Sequence, residues 1–122
     1  GAASAARARD AHGVHPELQA RVDRVIERMR REFGHDVRVV ETYRSQSRQD
    51  ALFAQGRTAP GDVVTWTRSS QHTLGRAADV TIDGGWSDAA AFRRLQEVAR
   101  EEGLHTLGPR DPGHLELPRD VA

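Results

Sequence analysis

The sequence predicts a small α+β domain, with helices packed on a mainly antiparallel sheet. Three observations lead there. Two segments carry apolar residues at helical spacing, several short runs alternate or are rich in β-branched residues, and the elements follow the order helix, strand, helix, strand, strand, helix, strand, strand. At 122 residues the chain fits one domain. A chain of this size buries about two-thirds of its unfolded surface, enough for one core.

Residues 1–13 are small, polar and arginine-bearing, without useful periodicity, and read as a flexible lead-in to a folded domain over 14–122. His12 and His15 in this region read as solvent-exposed. The first helix begins near Pro16, which suits an initial helical position, with Glu17 in the first turn. Leu18, Val22, Val25, Ile26, Met29 and Phe33 fall on one face, and Gly34 is the expected stop. The opposite face, with Arg21, Arg24, Arg28 and Arg31 among Asp23, Glu27 and Glu32, reads as solvated.

Asp36 to Tyr43 alternates and is predicted as a strand that delivers Arg44 at its end. Ser45 or Ser47 is placed to cap a short second helix reaching Gln55, and Ser47 with Asp50 fits a capping box. Gly56 ends it, and Arg57 to Asp62 forms a Pro/Gly loop. Val63 to Thr67 is expected as a second short strand or extended segment, Ala77 to Asp83 as a third strand, and Gly84-Gly85 as a turn. Ser87 is expected to cap a helix to Glu102, with Ala91, Leu95, Val98 and Ala99 on its inner stripe. Leu104 to Leu107 and His114 to Leu117 alternate and form a closing hairpin, joined through Gly108 to Gly113.

Composition removes several function classes. Eighteen basic residues balance eighteen acidic ones, so no general electrostatic case exists for nucleic acid or an anionic membrane. All eighteen basic residues are arginine, which reads mainly as a genome-composition bias. There is no cysteine, so disulfides and thiolate metal sites are excluded. No apolar run approaches membrane-spanning length, and the first residues lack the apolar stretch of a signal peptide. If the protein is exported, this sequence is expected to be its mature form or a version trimmed of its leader.

The chemistry concentrates in Ser70 to Asp79. His72 and Asp79 arrive from a turn and the strand after it, two good ligands for a hard or borderline metal. His114, on the last predicted strand, meets Asp79 if the two strands are neighbours in the sheet. A His/Asp/His set with one open position suits a catalytic Zn2+ ion, with iron or manganese also compatible with the ligand types. His105, one strand away, is an alternative third ligand, without a nearby acid. An off-metal carboxylate is then needed to move the proton of a water molecule; Asp111 is placed for it and Glu116 competes, since it shares a strand face with His114. Arg44 is a candidate to hold a developing oxyanion or a substrate carboxylate. Ser70 and Gln71 are placed to orient ligands or substrate, and Trp66, Trp86 and Arg68 to line a cleft. The His-Glu-x-x-His helix of many zinc proteases is absent.

In combination, Ser70-x-His72-x-x-Gly75-x-Ala77-x-Asp79 followed by Asp111-x-x-His114 resembles the signature of the zinc D-Ala-D-Ala carboxypeptidase and L-alanyl-D-glutamate endopeptidase family, the M15 peptidases. Tyr43-Arg44-Ser45 is similar to that family's strand-end Tyr-Arg, and Gln49 to Gln55 with Gly56-Arg57 match as well. The resemblance spans Val37 to Leu117. It implies an α+β fold of the hedgehog type around an antiparallel sheet, and a zinc peptidase catalytic domain over 14–122. It further implies one zinc ion on His72, Asp79 and His114, Asp111 as base, Arg44 as electrophilic helper, and Tyr43 beside it. The implied substrate is the stem peptide of peptidoglycan, cut by a cell-wall lytic enzyme that is secreted or periplasmic, or by a phage endolysin; a monomer is expected. Aspartate at the base position favours the endopeptidase over the carboxypeptidase. Leu115, where the family often has an aromatic residue, leaves substrate packing open. A non-catalytic metal-binding module of the hedgehog kind is the alternative from another class, and a metal-free structural domain a third.

Overall fold

The first helix starts and stops where its sequence signals place it. In the computed structural model, which describes residues 13–65 and 71–122, α1 runs Pro16–Phe33 with proline in its first turn. His15 is its N-cap, accepting from the Glu17 N–H at 3.0 Å, and its other ring nitrogen lies 2.8 Å from the Ala122 carbonyl oxygen. The expectation of a merely solvated His15 is therefore corrected: an imidazole nitrogen can serve as a cap acceptor like a serine or aspartate oxygen. At the other end Gly34 takes a left-handed φ of 71° and donates to Arg30, while His35 donates to Met29, closing the last carbonyls.

The expected apolar face is the observed one. Leu18, Val22, Val25 and Met29 are buried, with Ile26 and Phe33 at the margin of the same core. α1 lies against α3 (Ala89–Glu101) and against the strands β1 (Val37–Glu41) and β2 (Ala77–Ile82). α3 supplies Ala91, Phe92, Leu95, Val98 and Ala99, and the sheet adds Val37, Ala78, Val80, Ile82, Leu115 and Leu117. Burying each of the larger side chains in this group contributes about 1.5–3 kcal/mol. The cap of α3 is Asp88, accepting from Ala91 N–H at 3.1 Å, and not Ser87. A carboxylate there also meets the positive end of the helix, which a hydroxyl does less well.

The sheet has four strands in the order β1-β2-β4-β3, with β3 at His105–Thr106 and β4 at His114–Glu116, and every pairing is antiparallel. The closing hairpin is thus present, its connection passing through a 3-10 turn at Gly108–Arg110. Of the strand or extended segment expected over Val63 to Thr67, residues 63–65 form no strand among the described residues, and 66 and 67 lie outside them. Val63 and Val64 are exposed rather than facing a core, because the loop before them turns back on α2 (Gln46–Ala54). That return is tied by Gly56 N–H to Ala59 and by the Gln55 amide to Asp62. Ser45, rather than Ser47 with Asp50, caps α2, accepting from Arg48 N–H; Asp50 instead receives the Gln46 amide. The lead-in over 1–12 also lies outside the described residues.

Two irregularities aim side chains at one place. β1 carries a bulge between Val39 and Glu41: Val39 pairs with Val80, yet Glu41 pairs with Asp79, so Val40 has no opposite number. Without it, Val40 would stand across from Asp79. The bulge turns Glu41 onto the face of Asp79 and leaves Val40 in solvent. The second is Gly75, which follows the 3-10 turn Gln71–Leu74 with a φ of 67°. Its carbonyl accepts from His15 N–H, and a Cβ at this position would overlap the carbonyl oxygen of Gly13.

Gly75→Ala and Gly84→Ala both force a side chain into a left-handed backbone, φ 67° and 85°, a strain on the order of 1–3 kcal/mol. Only Gly75 has a neighbouring backbone where the Cβ would go; nothing lies within 4 Å of that point at Gly84. In chemical denaturation Gly75→Ala should therefore lose clearly more stability than Gly84→Ala. Equal losses would mean that the contact with Gly13 gives way easily.

Candidate metal centre

Asp79 sits at the middle of β2, on the face opposite Ala78 and Val80, and its Cα partner on β4 is His114. The neighbouring-strand condition on which the sequence reading rested is met. Asp79 Oδ1 lies 3.2 Å from His114 Nδ1, and Oδ2 lies 3.1 Å from His72 Nε2. One donor atom from each of His72, Asp79 and His114 lies within 4.8 Å of the others. His105 is exposed on β3 and does not belong to this cluster.

The two rings turn different nitrogens toward Asp79. His72 Nδ1 donates to the Thr42 carbonyl oxygen at 2.8 Å; a carbonyl only accepts, so Nε2, which faces Asp79, is the nitrogen whose lone pair a metal could take. His114 is reversed. Its Nε2 faces Glu116 Oε1 at 2.8 Å, and Nδ1 faces Asp79. The rings meet edge to face, 5.4 Å between centroids at 77°. Both histidines are buried while Asp79 keeps partial access to solvent. Two imidazole lone pairs and a carboxylate converging on one point form a donor set suited to zinc with a position left open.

Charge balance follows from this packing. Burial would raise the Asp79 carboxyl, but hydrogen bonds from His114 and His72 hold it well below the usual carboxylate range. Burial would lower His114, yet its bonds to Asp79 and Glu116 raise it above its ordinary value. Asp111 stands 3.8 Å from His114 Nδ1 with half its side chain exposed. Burial of the other half is the main cause that lifts its carboxyl above the ordinary value; His114 counters and the negative Asp79 adds.

Arg44 flanks the same carboxylate. Its Nε and Nη2 donate to the two oxygens of Glu41 at 2.9 and 2.8 Å, and Nη1 donates to Gln49 Oε1 at 2.7 Å. Nη2 is also 4.0 Å from Asp79 Oδ2. The backbone N–H of Arg44 donates to the His72 carbonyl, tying the end of β1 to the turn that carries His72.

No protein-family model matches the chain. It is 28% identical over 123 residues to the peptidoglycan L-alanyl-D-glutamate endopeptidase CwlK of Bacillus subtilis, covering 85% of this chain and 73% of that one. Among solved structures it resembles the Serratia marcescens L-Ala D-Glu endopeptidase ChiX, with a TM-score of 0.63 and 24% identity over 87% of this chain and 81% of that one. It also resembles the vancomycin-resistance D,D-pentapeptidase VanY in complex with Zn(II), with a TM-score of 0.62 and 19% identity over 85% and 72%. The chain is a relative of the M15-type peptidases.

In this M15 relative the structure brings Arg44, His72, Asp79, Asp111 and His114 together, and the other described candidates stand around them in different ways. Glu116 faces the far nitrogen of His114, away from Asp79 and Asp111. What Gln71 supplies is a backbone carbonyl that accepts from Arg76. Tyr43 is partly exposed with its ring beside Gly13. Leu115 is fully buried in the core, so its identity answers to packing and not to substrate. Trp86 donates to the Val80 carbonyl at 3.1 Å and leaves most of its ring exposed. Ser70, Trp66 and Arg68 lie outside the described residues. The sequence reading missed Glu41, Gln49 and Thr42. A bulge gives no warning in an alternating strand, and a backbone carbonyl carries no residue type at all.

Zinc binding at this cluster would need the lone pair of His114 Nδ1, so uptake by the metal-free protein should expel the proton held there. Calorimetric titrations in buffers of different ionisation heat should register this release, with apparent affinity falling as pH drops through the raised pKa of His114. The metal-free protein has the opposite trend. A raised pKa contributes stability that is full below the ordinary value of 6.5 and is lost as pH rises through the folded value. Zinc uptake without proton release would contradict this description of the site.

Proposed function

We propose that the chain is a zinc metallopeptidase that hydrolyses a peptide bond in the stem peptide of peptidoglycan, acting as an L-alanyl-D-glutamate endopeptidase on the cell wall. The observation that carries this reading is the position of Asp111. It is a carboxylate outside the three-residue donor set, 3.8 Å from a nitrogen of that set. A module that only bound metal would have no need of such a group.

The division of labour follows from the residues. His72, Asp79 and His114 would hold the ion. Zinc bound there supplies Lewis acidity toward a peptide carbonyl and toward water. Asp111 takes the proton of the attacking water and returns it to the leaving amine, and its raised carboxyl brings it nearer the pH at which it works. Arg44 stays charged, held by Glu41, and presents positive charge where the carbonyl oxygen becomes negative. All of these residues come from one chain, so a monomer suffices. Its likeness to CwlK, together with aspartate as the base, supports the endopeptidase over a D,D-carboxypeptidase.

Mass spectrometry of products from intact muropeptides separates the two. A stem cut behind L-alanine is expected; release of D-alanine would move the assignment to the carboxypeptidase. Asp111→Asn should lose about 100- to 10,000-fold in kcat while still taking up zinc. Full activity in that variant would remove Asp111 from the chemistry.

A further inference from the structure

We infer that Glu116 is a positioning residue for the proposed metal: it fixes the ring of His114 so that Nδ1, not Nε2, is the donor atom. The inference rests on the reading of His72, Asp79 and His114 as a zinc site and adds a fourth side chain to it.

The observation is the geometry around one imidazole. Glu116 Oε1 lies 2.8 Å from Nε2, while Asp79 Oδ1 and Asp111 Oδ2 lie 3.2 and 3.8 Å from Nδ1. The strand enforces this arrangement. His114 and Glu116 are two apart on β4, and side chains two apart project to one face. Across the sheet Glu116 pairs with Ala77 on β2 and His105 on β3. Ala77 offers only a methyl group, so the carboxylate has room to lean along the strand toward the ring. Both partners are largely shielded, with 9% and 18% of their side chains exposed.

A carboxylate only accepts when ionised, so Nε2 keeps its hydrogen toward Glu116, and Nδ1 is the nitrogen that offers a lone pair once its own proton is released. The negative charge also makes Nδ1 more basic and a better donor, as outer carboxylates do for metal-bound histidines generally. At His72 the nitrogen turned away from Asp79 faces the Thr42 backbone carbonyl. This geometry also removes Glu116 from competition as the general base, since His114 stands between it and the Asp79–Asp111 side.

The test measures zinc affinity of the full chain by competition with a chromophoric chelator. Glu116→Leu should bind zinc about 10- to 100-fold more weakly than the unmodified protein. Glu116→Gln should fall less, because its amide oxygen still accepts from Nε2. Equal affinity in all three proteins would overturn the inference and leave the metal reading standing. Failure of the unmodified protein to bind zinc would overturn the metal reading itself, and the role of Glu116 with it. Long-range proton–nitrogen NMR of the zinc-loaded protein answers the same question should Glu116→Leu not fold. Nδ1 bound and Nε2 protonated on His114 is expected; Nε2 bound would overturn the inference.

Discussion

A charged carboxylate in the middle of an apolar strand is the constraint on which the rest of the structure turns. β2 is Ala77-Ala78-Asp79-Val80-Thr81-Ile82, and all of it but Asp79 is buried. A carboxylate in that setting is costly unless hydrogen-bonded and paired. The fold answers with two imidazoles in contact with its oxygens and a guanidinium 4.0 Å away. Each of these groups reaches Asp79 from a different segment, so the site exists only when the segments are correctly assembled.

Register does most of that assembly. His114 faces Asp79 because β4 pairs with β2 in one particular alignment, and a slip of one residue would point Leu115 at Asp79 and His114 at the helices. Leu115 in the core opposes such a slip. The helices contribute indirectly: α1 and α3 cover the far face of the sheet and make its register expensive to change. On the other side of β2, the bulge at Val40 lets β1 contribute Val37 and Val39 to the core side while Glu41 stands next to Asp79. Glu41 in turn holds Arg44 in two hydrogen bonds, so a charge that stabilises Asp79 is itself fixed by backbone geometry. Gly113, just before His114, permits this closeness; a Cβ there would overlap the Val80 carbonyl.

Much of this was legible in the sequence, for physical reasons that differ by element. α1 carried its periodicity, its proline and its terminal glycine in the open, and the structure follows them. Asp79 and His114 were readable because residue types that bind metals are few and the last strand had a clear alternation. What the sequence hid are features set by tertiary context. The strand or extended segment expected at Val63 had β-branched residues, yet Val63 and Val64 stand exposed and join no strand among the described residues. Ser45 and Asp88 won their caps over Ser47 and Ser87 through small differences in where the helix begins, which local propensity does not resolve. Glu116 was visible as an acid near a histidine, but which ring nitrogen it faced depended on the side-chain geometry of a folded strand.

The central claim is that His72, Asp79 and His114 together hold one zinc ion. X-ray absorption at the zinc edge of the loaded protein tests it most directly. A first shell of two imidazole nitrogens and oxygen ligands is expected, at distances of about 2.0–2.2 Å, with one imidazole lost in His114→Ala. A zinc shell without imidazole, or one unchanged by that substitution, would contradict it.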